Sequence, residues 1–260
     1  MSEPNTHSTI STRAKWIYGA LTFMNILLTC MVFWDAVYSR LAFGEWRRGK
    51  YLYVNTLSLD IHATIGAIFI LVISAQFVLG YFAVRSKATS IHRMIGRGLL
   101  YCVLPLFMMS ALWASVDRSA NIPPEKSVIF KHNVPLLVFF LVTLLLMAGY
   151  FLVVSAHAIR RGDVSLHLDT MVAAITMFAG IVWIRFLYIL YWKLIGPTPF
   201  TIMGMAMNTA IIVSAMLIGA YALAGRLAAN RQGIIVLLAW VALFLIGLQP
   251  FYDYFDPKSY

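Results

Sequence analysis

The stretch "IHATIGAIFILVISAQFVLGYF", Ile61 to Phe82, decides the fold. No charge interrupts it, and at ~1.5 Å per residue a helix of this length crosses the ~30 Å hydrocarbon core of a bilayer. Backbone amides have no water to bond in lipid, so such a run is predicted to be helical throughout. Comparable apolar runs occupy approximately 15–38, 94–116, 132–156, 168–192, 202–223 and 232–250. The expected architecture is an all-α, polytopic membrane helical bundle of about seven transmembrane helices.

Composition supports this. Apolar residues make up 61% of the 260-residue chain and charged residues 12%, which excludes an ordinary soluble domain. The net charge of +10 resides in loops, where headgroup contact and topology account for it, so no nucleic-acid partner is expected. Sorting the loops alternately gives ten basic residues on the N-terminal side and nine on the other, with seven of the ten acidic residues on that second side. This favours a cytoplasmic N-terminus and an exported C-terminus. The first run is too long for a signal-peptide core and lacks a small-residue cleavage pattern, so it reads as a retained helix. Cys30 and Cys102 fall inside apolar helices and are expected to be buried structural residues, without disulfide or metal-ligand spacing.

No linker or soluble domain interrupts the helices, so one membrane domain is expected. Residues 1–58 form a first helix and outer loop, 59–192 a four-helix histidine-bearing core, and 193–260 two further helices and a tail. The connections containing "GEWRRGKYLYVN" (44–55) and "DRSANIPPEKSVIFK" (117–131) would form outer caps or partner surfaces. "IGPTPF" (195–200) carries two prolines that stop one helix and start the next. The aromatic tail "QPFYDYFDPKSY" suits the membrane interface.

Apart from His7, the histidines lie at the ends of helices two to five. Following the chain through alternating spans sets His62 and His132 at the outer face, and His92 with His167 or His157 at the inner face. Two non-adjacent helices thus supply each face, a layout that suits one or two b-type haems held by axial imidazoles. At 100° per residue, His62, Gly66, Gln76 and Gly80 fall within about 40° of one line, and glycines there admit a flat macrocycle or another helix. A single terminal histidine equally suits an interfacial role.

Arg185 lies in "MFAGIVWIRFLYILYW", where an unpaired charge would cost at least ~2.5–3.5 kcal/mol at the bilayer centre. A haem propionate, Asp35 or Asp60 would neutralise it; the alternative is snorkelling beside Tyr188, Tyr191 and Trp192. Gln76 reads either as an interhelical hydrogen bond worth under ~2 kcal/mol or as a holder of water or substrate. Arg93 and Arg97, a turn apart in "SIHRMIGRGLLY" (90–101), can bind lipid phosphate, a haem propionate or helix carbonyls.

The run "IHATIGAIFILVISAQFVLGYFAVRSKATSIHRMIGRGLLY" resembles an H-x3-G, Q-F, H-R-x2-G-R-x2-Y pattern of a bacterial membrane family of unknown function, family 2306. "AHAIRRGDVSLHLDTMVAAITMFAGIVWIRF" resembles its A-x-A-I-R-R-x-D, histidine and T-to-R segment, with Arg160, Arg161, Asp163, His167, Met171, Thr176 and Arg185 at matching positions. Together these cover helices two to five. The resemblance implies a four-helix unit with His62, His92 and His167 as candidate functional positions. One departure stands out: the family usually has a basic, tryptophan-containing run where this chain reads "HLDTM", implying a different contact at that end of helix five. A looser similarity, of layout alone, is to the transmembrane ascorbate-reducible b-type cytochromes. Their ligand order implies pairs His62 with His132 and His92 with His167.

Three functional classes follow. The first is a haem b-binding electron carrier, operating as a reductase or quinol-linked subunit with a quinol or redox-protein partner. The second is a non-catalytic accessory or assembly subunit of a larger membrane complex. The third is a small-solute or proton carrier, although no inverted repeat or pair of broken helices is visible. Whether the chain is an enzyme is left open by the sequence.

Overall fold

The computed structural model describes residues 11–44, 47–48, 51–52, 57–82, 86–120, 127–194 and 199–247. Among them run α1 (Thr12–Phe43), α2 (Leu57–Phe82), α3 (Ser86–Gly98), α4 (Leu104–Ala120), α5 (Ser127–Arg160), α6 (Val164–Leu194), α7 (Pro199–Leu223) and α8 (Arg231–Gly247). A short antiparallel ladder pairs Arg47 with Leu52 and Arg48 with Tyr51. Six segments are long and apolar enough to cross a membrane: Thr12–Trp34, Leu57–Gly80, Ser90–Ala114, Val138–Arg160, Val164–Leu187 and Met205–Leu223. The chain is an all-α, multi-pass membrane helical bundle. The seventh apolar helix, α8, has 17 residues and so reaches only ~25 Å. His7, the tail 248–260, residues 195–198, the 121–126 connection and most of 45–56 lie outside the described residues, as do the side chains of Asp35, His132, Tyr188, Tyr191 and Trp192.

The third span is α3 and α4 joined by a π-helical turn, Leu99–Val103, in which the Leu104 N–H reaches the Leu99 carbonyl. Pro105 explains the turn. It has no N–H to give the Tyr101 carbonyl, so the α-type ladder cannot run through this point and widens instead.

Glycine ends two other helices. Gly162 (φ +77°) and Gly225 (φ +70°) follow α5 and α7 in the left-handed conformation. The Asp163 N–H returns to Ala158 O at 2.9 Å and the Arg226 N–H to Tyr221 O at 2.7 Å, while each glycine N–H bonds one carbonyl further on. Both are Schellman closures. Asp163 then caps α6, accepting from the Leu166 N–H at 2.9 Å. A Cβ at Gly225 would meet nothing within 4 Å, so its substitution isolates backbone strain. Gly225→Ala is expected to lower unfolding free energy by about 1–2 kcal/mol, read as a shifted midpoint in denaturing detergent.

The chain divides into two compact units: residues 26–131, and residues 1–25 together with 132–260. In the first, α2 packs along α3, the π turn and α4. In the second, α6 packs on α7, and α7 on α8. α6 is the enclosed helix, with 72% of its most apolar window buried against 17–44% for the other five spans. Gly180 lets its neighbours close in, since a Cβ there would sit 2.9 Å from Leu144 on α5 and 3.6 Å from Val213 on α7.

The cysteines correct an expectation. Cys30 and Cys102 are free and exposed, not buried. In lipid the outward face of a helix is as apolar as its inward face, so an apolar run does not reveal which way a side chain points.

Candidate functional site

In the unit of residues 26–131, the stripe on α2 faces its own neighbouring helices. His62 lies against Phe107 of α4, with ring centroids 5.5 Å apart, and Phe107 stacks on Phe69 at 4.8 Å. A Cβ at Gly66 would touch Phe107 at 3.6 Å. Further along, the packing is reciprocal. The Gln76 carboxamide of α2 lies over Gly96 of α3, and the His92 ring of α3 lies over Gly80 of α2. Added Cβ atoms would meet them at 2.7 and 3.1 Å. Each helix thus contributes a polar side chain and, four residues on, a glycine that receives the other's. The Q-x3-G and H-x3-G spacings receive a physical account here: of a macrocycle and a helix as reasons for the glycines, a helix is what lies against them.

Gln76 Nε2 donates to the His92 carbonyl at 2.7 Å, an interhelical hydrogen bond. Arg93 and Arg97 are exposed on α3, in position for headgroups. Asp60 is bound at both oxygens by Arg40, whose Nε and Nη2 donate at 3.0 and 2.9 Å. About a third exposed, that pair contributes under ~1 kcal/mol.

Two imidazole rings have Nδ1 within hydrogen-bond reach of a serine. Ser110 Oγ donates to the Phe107 carbonyl at 2.9 Å and lies 3.2 Å from His62 Nδ1. In the other unit, His167 Nδ1 lies 2.7 Å from Ser155 Oγ and 3.2 Å from the Ser155 carbonyl. His157, by contrast, is exposed on the last turn of α5. Arg185 is partly buried and engaged by neighbouring groups.

Sequence reasoning missed a densely bonded group. Asp169, 1% exposed near the start of α6, accepts at Oδ1 from Tyr18 (2.7 Å). At Oδ2 it accepts from Arg226 Nε and Nη2 (3.0 and 2.7 Å) and from Asn230 (2.8 Å). Tyr221 donates to the Asp169 carbonyl at 3.1 Å and meets Tyr18 edge to face. The Schellman closure at Gly225 delivers Arg226 to this point. Hydrogen bonding to the carboxylate in turn raises the Arg226 guanidinium above its ordinary range, so the arginine stays charged. One carboxylate thus ties α1, α6 and the α7–α8 turn together. A second polar link follows one face of α1, where Asn25 donates to Thr176 at 3.4 Å and accepts from Trp183 at 3.3 Å.

Among the described residues no three His, Cys, Asp or Glu side chains converge as metal ligands. No family model, no curated protein and no solved structure matches this chain.

Proposed function

We propose that the chain is a haem b-binding membrane protein that carries electrons across or within a bacterial inner membrane, its N-terminus cytoplasmic. His62, His132, His92 and His167 are the candidate axial imidazoles, and a quinol or a redox protein is the natural partner. The supporting observation is the anchoring of two rings. A haem-ligating imidazole must be neutral, present Nε2 to iron and have Nδ1 anchored by a carbonyl or hydroxyl. His62 Nδ1 has the Ser110 hydroxyl at 3.2 Å, and His167 Nδ1 has the Ser155 hydroxyl at 2.7 Å and carbonyl at 3.2 Å, as such anchors. His92 differs, because its Nδ1 is buried without a partner. Arg93, Arg97 and Arg185 offer positive charge for propionates. Haem would supply one-electron redox chemistry; the protein's part is to orient the rings and exclude water.

The test is the visible spectrum, oxidised and reduced, of the chain purified after expression with adequate haem. A Soret band that shifts on reduction is expected, and its absence ends the proposal. Ser155→Ala, which removes the hydroxyl anchor of His167, is expected to weaken haem retention about tenfold or more in a competition assay with apomyoglobin. Unchanged retention would show that the hydroxyl is not the anchor of His167, and His167→Ala with retention unchanged would remove His167 from the ligand set.

A further inference from the structure

We infer that the α2–α3 hairpin holds a hydroxyl-bearing guest at Gln76 and His92, one that donates a hydrogen bond to Gln76 Oε1 and meets His92 Nδ1. Gln76 is 5% exposed. Its Nε2 is committed to the His92 carbonyl, which fixes the carboxamide, since the flipped form would set oxygen against oxygen. Oε1 therefore points away from that bond, and it is buried with no donor. His92 Nδ1 is buried and unpartnered as well. Leaving one such atom unsatisfied is already unfavourable in a protein and worse inside a bilayer. Here two occur on residues in direct contact, and a single group that bonds both resolves them.

The two atoms select the chemistry. Gln76 Oε1 only accepts, so the guest must donate; His92 Nδ1 accepts or donates according to tautomer. A hydroxyl meets both demands. A carboxylate or phosphate offers Oε1 no proton, and among the described residues no three His, Cys, Asp or Glu side chains gather to hold a metal cation. The glycines keep the walls thin, since a Cβ at Gly80 would lie 3.1 Å from His92 Cε1 and 3.6 Å from its Nδ1. The π turn begins at Leu99, three residues beyond Gly96. Such turns recur at functional sites in helices. Water and the ring hydroxyl of a quinol share the required chemistry. The inference concerns Nδ1 and does not rest on iron at Nε2.

The experiment is solid-state NMR of the full-length chain in lipid bilayers, with histidine and glutamine labelled with nitrogen-15. It is run on haem-free protein from a haem-deficient host and again on haem-replete protein. Magnetisation transfer from water to His92 Nδ1 or to the Gln76 carboxamide identifies water as the guest. A shift of the His92 Nδ1 resonance on adding a short-chain quinol identifies the quinol. Gln76→Met should abolish whichever signal is seen while leaving the His62 and His167 resonances in place. Where Gln76→Met fails to accumulate, Gly80→Ala displaces the His92 ring and is read the same way. Neither water transfer nor a quinol shift in the unaltered chain overturns the inference, whatever the visible spectrum shows.

Discussion

Arg226→Met is expected to destabilise the protein by about 3–5 kcal/mol, the usual result of removing one partner from a buried ion pair. Asp169 has 2% of its side chain exposed and Arg226 25%, so little solvent is at hand to screen the carboxylate left behind. Methionine keeps much of the arginine stem, which separates lost charge from lost packing. Arg226→Lys should fall between, because an ammonium keeps the charge but cannot reproduce the Nε and Nη2 bonds to Oδ2. The decisive variant is the double one. If the cost is a stranded charge, Asp169→Asn combined with Arg226→Met should recover about 2 kcal/mol of the loss, since asparagine still accepts from Tyr18 and carries no charge to desolvate. Unfolding in mixed micelles measures all three. An additive double mutant, or a silent Arg226→Met, would show that the carboxylate is not what ties these helices together.

That the cluster escaped sequence reading has a physical cause. Its partners lie 151 residues away at Tyr18 and 57 and 61 away at Arg226 and Asn230, so nothing in local periodicity joins them. One signal was available. An acidic residue within an apolar helix must be paired, the same argument that singled out Arg185, and "AGRLAAN" offers an arginine and an asparagine beside a helix-ending glycine. The spans themselves were legible because hydrocarbon thickness sets a length that composition alone reveals. The α2 stripe was legible too, since four residues on one face survive any choice of neighbour. What the stripe would meet was not, as a glycine on a histidine face serves a helix and a macrocycle equally. The break in the third span hid for another reason: Pro105 marks it, but a proline within a transmembrane helix is common enough to leave the outcome to tertiary context.

The short helix α8 depends on a different kind of contact, and Phe244→Ala should show how much. Gly233, Leu237, Trp240 and Phe244 follow one another at intervals of three or four residues and so share one face. Leu237, Trp240 and Phe244 are at most 4% exposed. Phe244 stacks on Phe139 at 5.6 Å and meets Phe140 edge-on at the same distance, while a Cβ at Gly233 would lie 3.3 Å from Phe151. All three partners are on α5, so α8 is docked along its length. In water a buried phenylalanine truncated to alanine costs about 3–5 kcal/mol. In lipid the transfer part of that cost largely vanishes, because the surroundings are as apolar as the protein, and packing remains. The expected loss is therefore about 3 kcal/mol or somewhat less, and it should be local. A helix of ~25 Å in a ~30 Å hydrocarbon layer is mismatched, and docking on a longer neighbour offsets that strain. Phe244→Ala should accordingly speed amide hydrogen exchange throughout Arg231–Gly247 while leaving α6 protected. Unchanged exchange in α8 would mean that its backbone is secured by the Asp169 clamp at its start and not by the aromatic contacts along it.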